Sequence, residues 1–63
     1  MNKVPRFLKE YANHKKQSIT NNELMQEKYK EKGISNIDKT LKAYEKGLIT
    51  IDESMKMILD CFA

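Results

Sequence analysis

His14, Cys61 and the adjacent pair Asp52–Glu53 are the side chains that invite a search for catalysis. A histidine serves as general base only with an orienting partner and a pocket. His14 instead lies in the polar tract Asn13-His-Lys-Lys-Gln-Ser18, which holds no apolar wall, and it reads as a surface histidine. A cysteine becomes a nucleophile when a nearby base or cation lowers its pKa. Cys61 sits beside Asp60, whose charge disfavours a thiolate, so it reads as a small hydrophobe on the flank of the last helix. Asp52 and Glu53 fall where a helix begins, and a helix N-terminus accounts for acidic residues without any acid–base role. One histidine and one cysteine far apart make a poor zinc set, which wants four N or S ligands. No Gly-rich phosphate loop or calcium loop is present. The expectation is a protein that is not an enzyme and uses no metal or cofactor.

The elements that position these residues are predicted to be helices. Lys, Glu, Leu, Met and Ala are frequent, and no β-branched run alternates as a strand would. A first helix starts at Pro5, since proline suits the first helical position. Val4, Phe7, Leu8, Tyr11 and Ala12 share one apolar face at three-four spacing, and Ile19 returns close to it. Thr20-Asn-Asn-Glu23 resembles a capping box, so a second helix is predicted over 21–32, stopping at Gly33. The alternative is one continuous rod over 5–32. The break is preferred, because Ile19-Thr-Asn-Asn22 is weak helix sequence. A third helix is predicted from Ser35, carrying Ile34, Ile37, Leu41, Tyr44 and Leu48 on one stripe and ending at Gly47. A fourth starts at Thr50, where Thr50-Ile-Asp-Glu53 is the stronger capping box. Ile51, Met55, Ile58 and Phe62 form its stripe, widened by Leu59. The short join between the last two helices predicts antiparallel packing.

The predicted fold is therefore all-α: a single domain over 1–63, built as a small three- or four-helix bundle. It divides into a basic helical segment, 4–32, and a helical hairpin, 35–62. A chain of 63 residues buries only about 60% of its unfolded surface. A lone cysteine forms no internal disulfide, so completion of the bundle by dimerisation is a physical expectation. No apolar run approaches the ~18 residues of a membrane span, and the first ten residues lack a signal-peptide core. A lone thiol fits a reducing compartment. The expected location is cytoplasmic, without a membrane partner.

Charge is uneven. Residues 1–32 hold eight Lys/Arg against four Glu, a balance of +4, while residues 33–63 balance at −1. Lys3, Arg6, Lys9, Lys15 and Lys16 are the candidates for nucleic-acid contact. The plainer reading is a solvated helix face. A helix-turn-helix made from the last two helices fits in length. However, its second helix would bring Asp52, Glu53 and Asp60 against phosphate, with only Lys56 to offset them. The apolar faces are the stronger candidates. Four Met, three Tyr and two Phe are many for so small a core, Met adapts to partner surfaces, and aromatics anchor interfaces. Phe7, Leu8, Tyr11, Met55, Ile58 and Phe62 are accordingly the candidate partner-binding residues. The alternative is that they are all intramolecular core.

Two resemblances follow from these residues. Tyr44-Glu-Lys-Gly-Leu-Ile-Thr-Ile-Asp-Glu53 resembles the short helical hairpin family called SHOCT over about 20 residues, Leu41 to Asp60. After Glu53 the pattern departs: Ser54-Met55 replaces the expected aromatic or apolar residue and the later Lys-Leu-Leu end is missing. That resemblance implies oligomerisation or docking. The start Val4-Pro-Arg-Phe-Leu-Lys-Glu-Tyr-Ala12, together with residues 43–58, is similar to small uncharacterised phage and prophage proteins of Gram-positive bacteria. It implies an accessory protein that binds and inhibits or redirects a host or defence protein in the bacterial cytoplasm, while the homo-oligomeric form is expected from the small size of the chain. The alternative function is a nucleic-acid-binding regulator using the basic first segment.

Overall fold

The computed structural model describes residues 3–60 and is all-helical, with three helices and no strand among the described residues. They are α1, Arg6–Thr20; α2, Glu27–Glu45; and α3, Ile51–Leu59. Each helix touches the other two. The core between them is formed by Leu8, Ala12 and Ile19 of α1, Ile37 and Tyr44 of α2, and Ile58 of α3. Val4, Tyr11, Met25, Ile34, Leu41, Ile49 and Ile51 close its margins.

Helix α1 follows the apolar spacing of its sequence. Pro5 is its N-cap rather than its first residue, and the Pro5 carbonyl accepts from Lys9 N–H at 3.0 Å. The helix ends at Thr20, where weak helix formers meet. The predicted second helix does not start there. Thr20 Oγ1 donates back to the Lys16 carbonyl at 2.9 Å instead of capping forward. Asn22 Oδ1 accepts from Leu24 N–H at 3.0 Å, a local turn bond that competes with helix. Lys30 Nζ reaches the Thr20 carbonyl at 3.0 Å and satisfies one of the acceptors left over at the end of α1.

The larger correction concerns Gly33. It was expected to stop a helix, with Ser35 capping the next; instead α2 runs through both from Glu27 to Glu45. The boundary between segments 4–32 and 35–62 therefore falls inside one helix. Gly33 is buried, whereas Ser35 is exposed. A glycine costs a helix about 1 kcal/mol relative to alanine. What opposes that cost here is packing: Gly33, Ile37, Thr40 and Tyr44 are the buried line of α2, and a residue without a side chain lets another helix approach closely.

The end of α2 follows the sequence. Gly47 has φ 77°, the left-handed conformation that glycine adopts without steric cost. Gly47 N–H donates to the Tyr44 carbonyl at 2.9 Å and Leu48 N–H to the Ala43 carbonyl at 3.0 Å, the paired bonds of a Schellman ending. Three residues on, Thr50 Oγ1 accepts from Glu53 N–H and Glu53 Oε1 accepts from Thr50 N–H, both at 3.1 Å. This is the predicted capping box. Thr50→Ala should lower stability by about 1 kcal/mol, read as a shift in the urea midpoint. An unchanged midpoint would mean that the box adds nothing beyond what water supplies.

The buried stripe of α3 is rotated from the predicted one. Ser54 and Ile58 are both 0% exposed, while Met55 stands at 36%. Ser54 tolerates burial because its Oγ donates to the Thr50 carbonyl at 2.8 Å. Thr40 does likewise to Asn36 at 2.8 Å. Both hydroxyls are satisfied by carbonyls four residues earlier, so their burial strands no polar group.

Candidate functional site

The six residues expected to bind a partner separate into different environments. Leu8 and Ile58 are fully buried within the chain's own core, so they are corrected from interface to core: neither can meet a partner without the helices separating. Tyr11 is half-buried at the core margin. Phe7 is 52% exposed and Met55 36%. Phe62, like Cys61, lies outside the described residues.

Sequence reading missed other exposed apolar groups. Met57 and Leu59 on α3 are 49% and 58% exposed. Met55 and Leu59, four residues apart, share one flank of α3, while Met57 lies on the other. Leu48 projects from the turn before α3, and Leu24 and Tyr29 border the loop after α1. Asn22, Leu24, Met25, Gln26 and Tyr29 line an open groove of about 350 Å³ there. A helix that leaves apolar residues on both flanks of its buried line is the signal that could have identified this surface.

The basic first segment is partly engaged. Arg6 Nε meets Glu10 Oε1 at 3.1 Å in an exposed pair. Lys16 is ion-paired with Asp38 of α2, and Lys15 Nζ donates to the Leu59 carbonyl at 3.4 Å. These two lysines tie α1 to α2 and to the end of α3. Lys3 and Lys9 are exposed. His14 is exposed as well. Among the described residues no group of three His, Cys, Asp or Glu could hold a metal ion, and no helix is long and apolar enough to cross a membrane.

A second basic surface appears only because α2 is continuous. Lys28, Lys32, Lys39, Lys42 and the C-cap Lys46 follow a four-three spacing, in which Ser35 takes the remaining position. At 3.6 residues per turn they lie within about 40° of one line along the helix. That line is opposite the buried Gly33, Ile37, Thr40 and Tyr44. All five lysines are exposed. Lys28 Nζ rests over the Tyr29 ring at 5.1 Å, and none of the five forms an ion pair among the described residues.

No protein-family model, curated protein or solved structure matches this chain.

Proposed function

We propose that this protein is a small interaction module that binds another protein through exposed apolar side chains of α3, with Phe7 of α1 as a further contact. The observation that carries the reading is the exposure of Met55, Met57 and Leu59 within a nine-residue helix. Single apolar residues on a surface are ordinary. Three in so short a helix, two of them adaptable methionines, suit a partner-binding surface. The proposed partner is a protein of the bacterial host cytoplasm, bound so as to inhibit or redirect it, which is what the resemblance of residues 4–12 and 43–58 to small uncharacterised phage proteins implies. The reading includes no catalytic step and no cofactor. It keeps α2 and α3 as a docking hairpin, and self-association through the flank that carries Met55 and Leu59 would complete the small bundle.

The test pairs Met55→Glu with Leu59→Glu in one chain. Both positions are exposed, so helicity by circular dichroism should survive. Self-association measured by sedimentation, and retention of a host protein on immobilised chain, should each weaken at least about tenfold, the scale of losing an interface anchor. A helical variant that self-associates and retains the host protein as the parent does would end the reading.

Nucleic-acid binding through Lys3, Arg6, Lys9, Lys15 and Lys16 has less support. Three of the five already meet a carboxylate or a carbonyl of the same chain.

A further inference from the structure

We propose that the lysine row of α2 is a docking surface for the phosphate backbone of duplex nucleic acid, independent of the apolar surface on α3. From Lys28 to Lys46 the row spans 18 residues, or about 27 Å of helix, along a molecule 36 Å in its longest dimension. Its charge is segregated. The acidic residues of α2, Glu27, Glu31, Asp38 and Glu45, all fall along one flank. Two of them are engaged: Asp38 with Lys16, and Glu27 with Lys30 at 3.7 Å. The other flank carries Tyr29, Asn36 and Ala43, without charge. Five exposed ammonium groups therefore face outward against Glu31 and Glu45.

The composition of the row selects among polyanions. A protein partner needs apolar or aromatic anchors at the centre of the contact, and the line itself holds only Lys and Ser35. An anionic membrane attracts a row of lysines too, but stable attachment takes a second signal such as an inserted apolar face, and that face of α2 is used by the core. Phosphate binding needs only positive charge along a line, since duplex DNA carries one negative charge per ~1.7 Å of axis. Lysines act as point charges, and the row lacks the arginine forks that read guanine. Binding should therefore be insensitive to sequence and steeply dependent on salt.

If all five lysines meet phosphates, the logarithm of affinity falls with that of salt at a slope of at most about −4.5. The corresponding loss between 50 and 200 mM salt is about 500-fold. Fluorescence anisotropy with the full chain and two 24-base-pair duplexes of unrelated sequence measures this. The variant Lys32→Gln, Lys39→Gln, Lys42→Gln removes exposed charge only and should remain helical. Its slope should be shallower by about 2.7, while Lys3→Gln, Arg6→Gln, Lys9→Gln should leave the slope as in the parent. Four results would overturn the proposal. They are no duplex binding at 20 mM salt, an unaltered slope in the α2 variant, tighter binding to polyaspartate than to duplex, or tighter binding to phosphatidylserine vesicles than to duplex. Polyaspartate preference would reassign the row to an acidic protein, and vesicle preference to a membrane.

Discussion

Ile58→Ala should destabilise the protein by about 2–5 kcal/mol. The whole stability expected at this length is about 3–9 kcal/mol, taking 0.05–0.15 kcal/mol per residue, so one truncation removes much of it. The reason lies in the shortness of α3. Nine residues fall below the ~12–15 at which an isolated helix is even marginal in water. Its capping box helps by about 1 kcal/mol, and tertiary burial must provide the rest. That burial is concentrated: Ile58 is the one large side chain of α3 at 0% exposure, beside the small Ser54. Urea titration followed by circular dichroism should show the midpoint collapse, with substantial unfolding before denaturant is added. Leu59→Ala is the control. Leu59 is next in sequence but 58% exposed, and at chain concentrations low enough to keep the protein monomeric its loss should stay within about 0.5 kcal/mol. Equal losses at the two positions would mean that α3 is docked by a different face.

Where sequence and structure agree, each signal was local and chemically specific. Thr50 and Glu53 satisfy one another across three residues, and Gly47 occupies a left-handed site that penalises any side chain. Such features are decided within one helical turn, so they are legible in a string. Gly33 and Thr20 present the same residue types in another context. Gly33 before Ile34-Ser35 resembles a helix end followed by a cap, and Thr20 with Glu23 resembles a capping box. Local energies of about 1 kcal/mol did not decide either position. At Gly33 the continuous buried line through Ile37, Thr40 and Tyr44 outweighed the propensity cost. At Thr20, the turn bonds of Asn22 and the reach of Lys30 offered the chain end other partners. The buried Ser54 was hidden for a related reason: hydrophobic patterning favours Met55, and only the bond to the Thr50 carbonyl makes serine acceptable inside.

The continuity of α2 through Gly33 also creates the basic surface. With a break at Gly33, Lys28 and Lys32 belong to one helix and Lys39, Lys42 and Lys46 to another, and their alignment has no meaning. With the helix continuous, all five fall on one line. The charge was visible as composition, and its geometry depended on a single helix boundary.

Gly33→Leu should therefore be the second severe substitution, although leucine is the better helix former. On propensity alone the change would stabilise α2 by nearly 1 kcal/mol. Backbone geometry does not forbid it either: among the described glycines, Gly47 has positive φ, and Gly33 lies in the interior of α2. The obstacle is volume, because Gly33 is buried on the line that faces the other helices. Overpacking a filled site costs about 1–3 kcal/mol, and four added heavy atoms where none existed belong at the upper end. The net expectation is a loss of roughly 2 kcal/mol, read as a lower urea midpoint with helicity retained in buffer. Gly47→Ala should also destabilise, by about 1–2 kcal/mol, but through strain in the left-handed turn. Gly33→Ala separates the two causes. It should be far milder than Gly33→Leu if volume governs the site, whereas a conformational requirement for glycine would make both equally harmful. A Gly33→Leu chain more stable than the parent would mean that propensity alone governs the position, and that Gly33 is not where the helices approach.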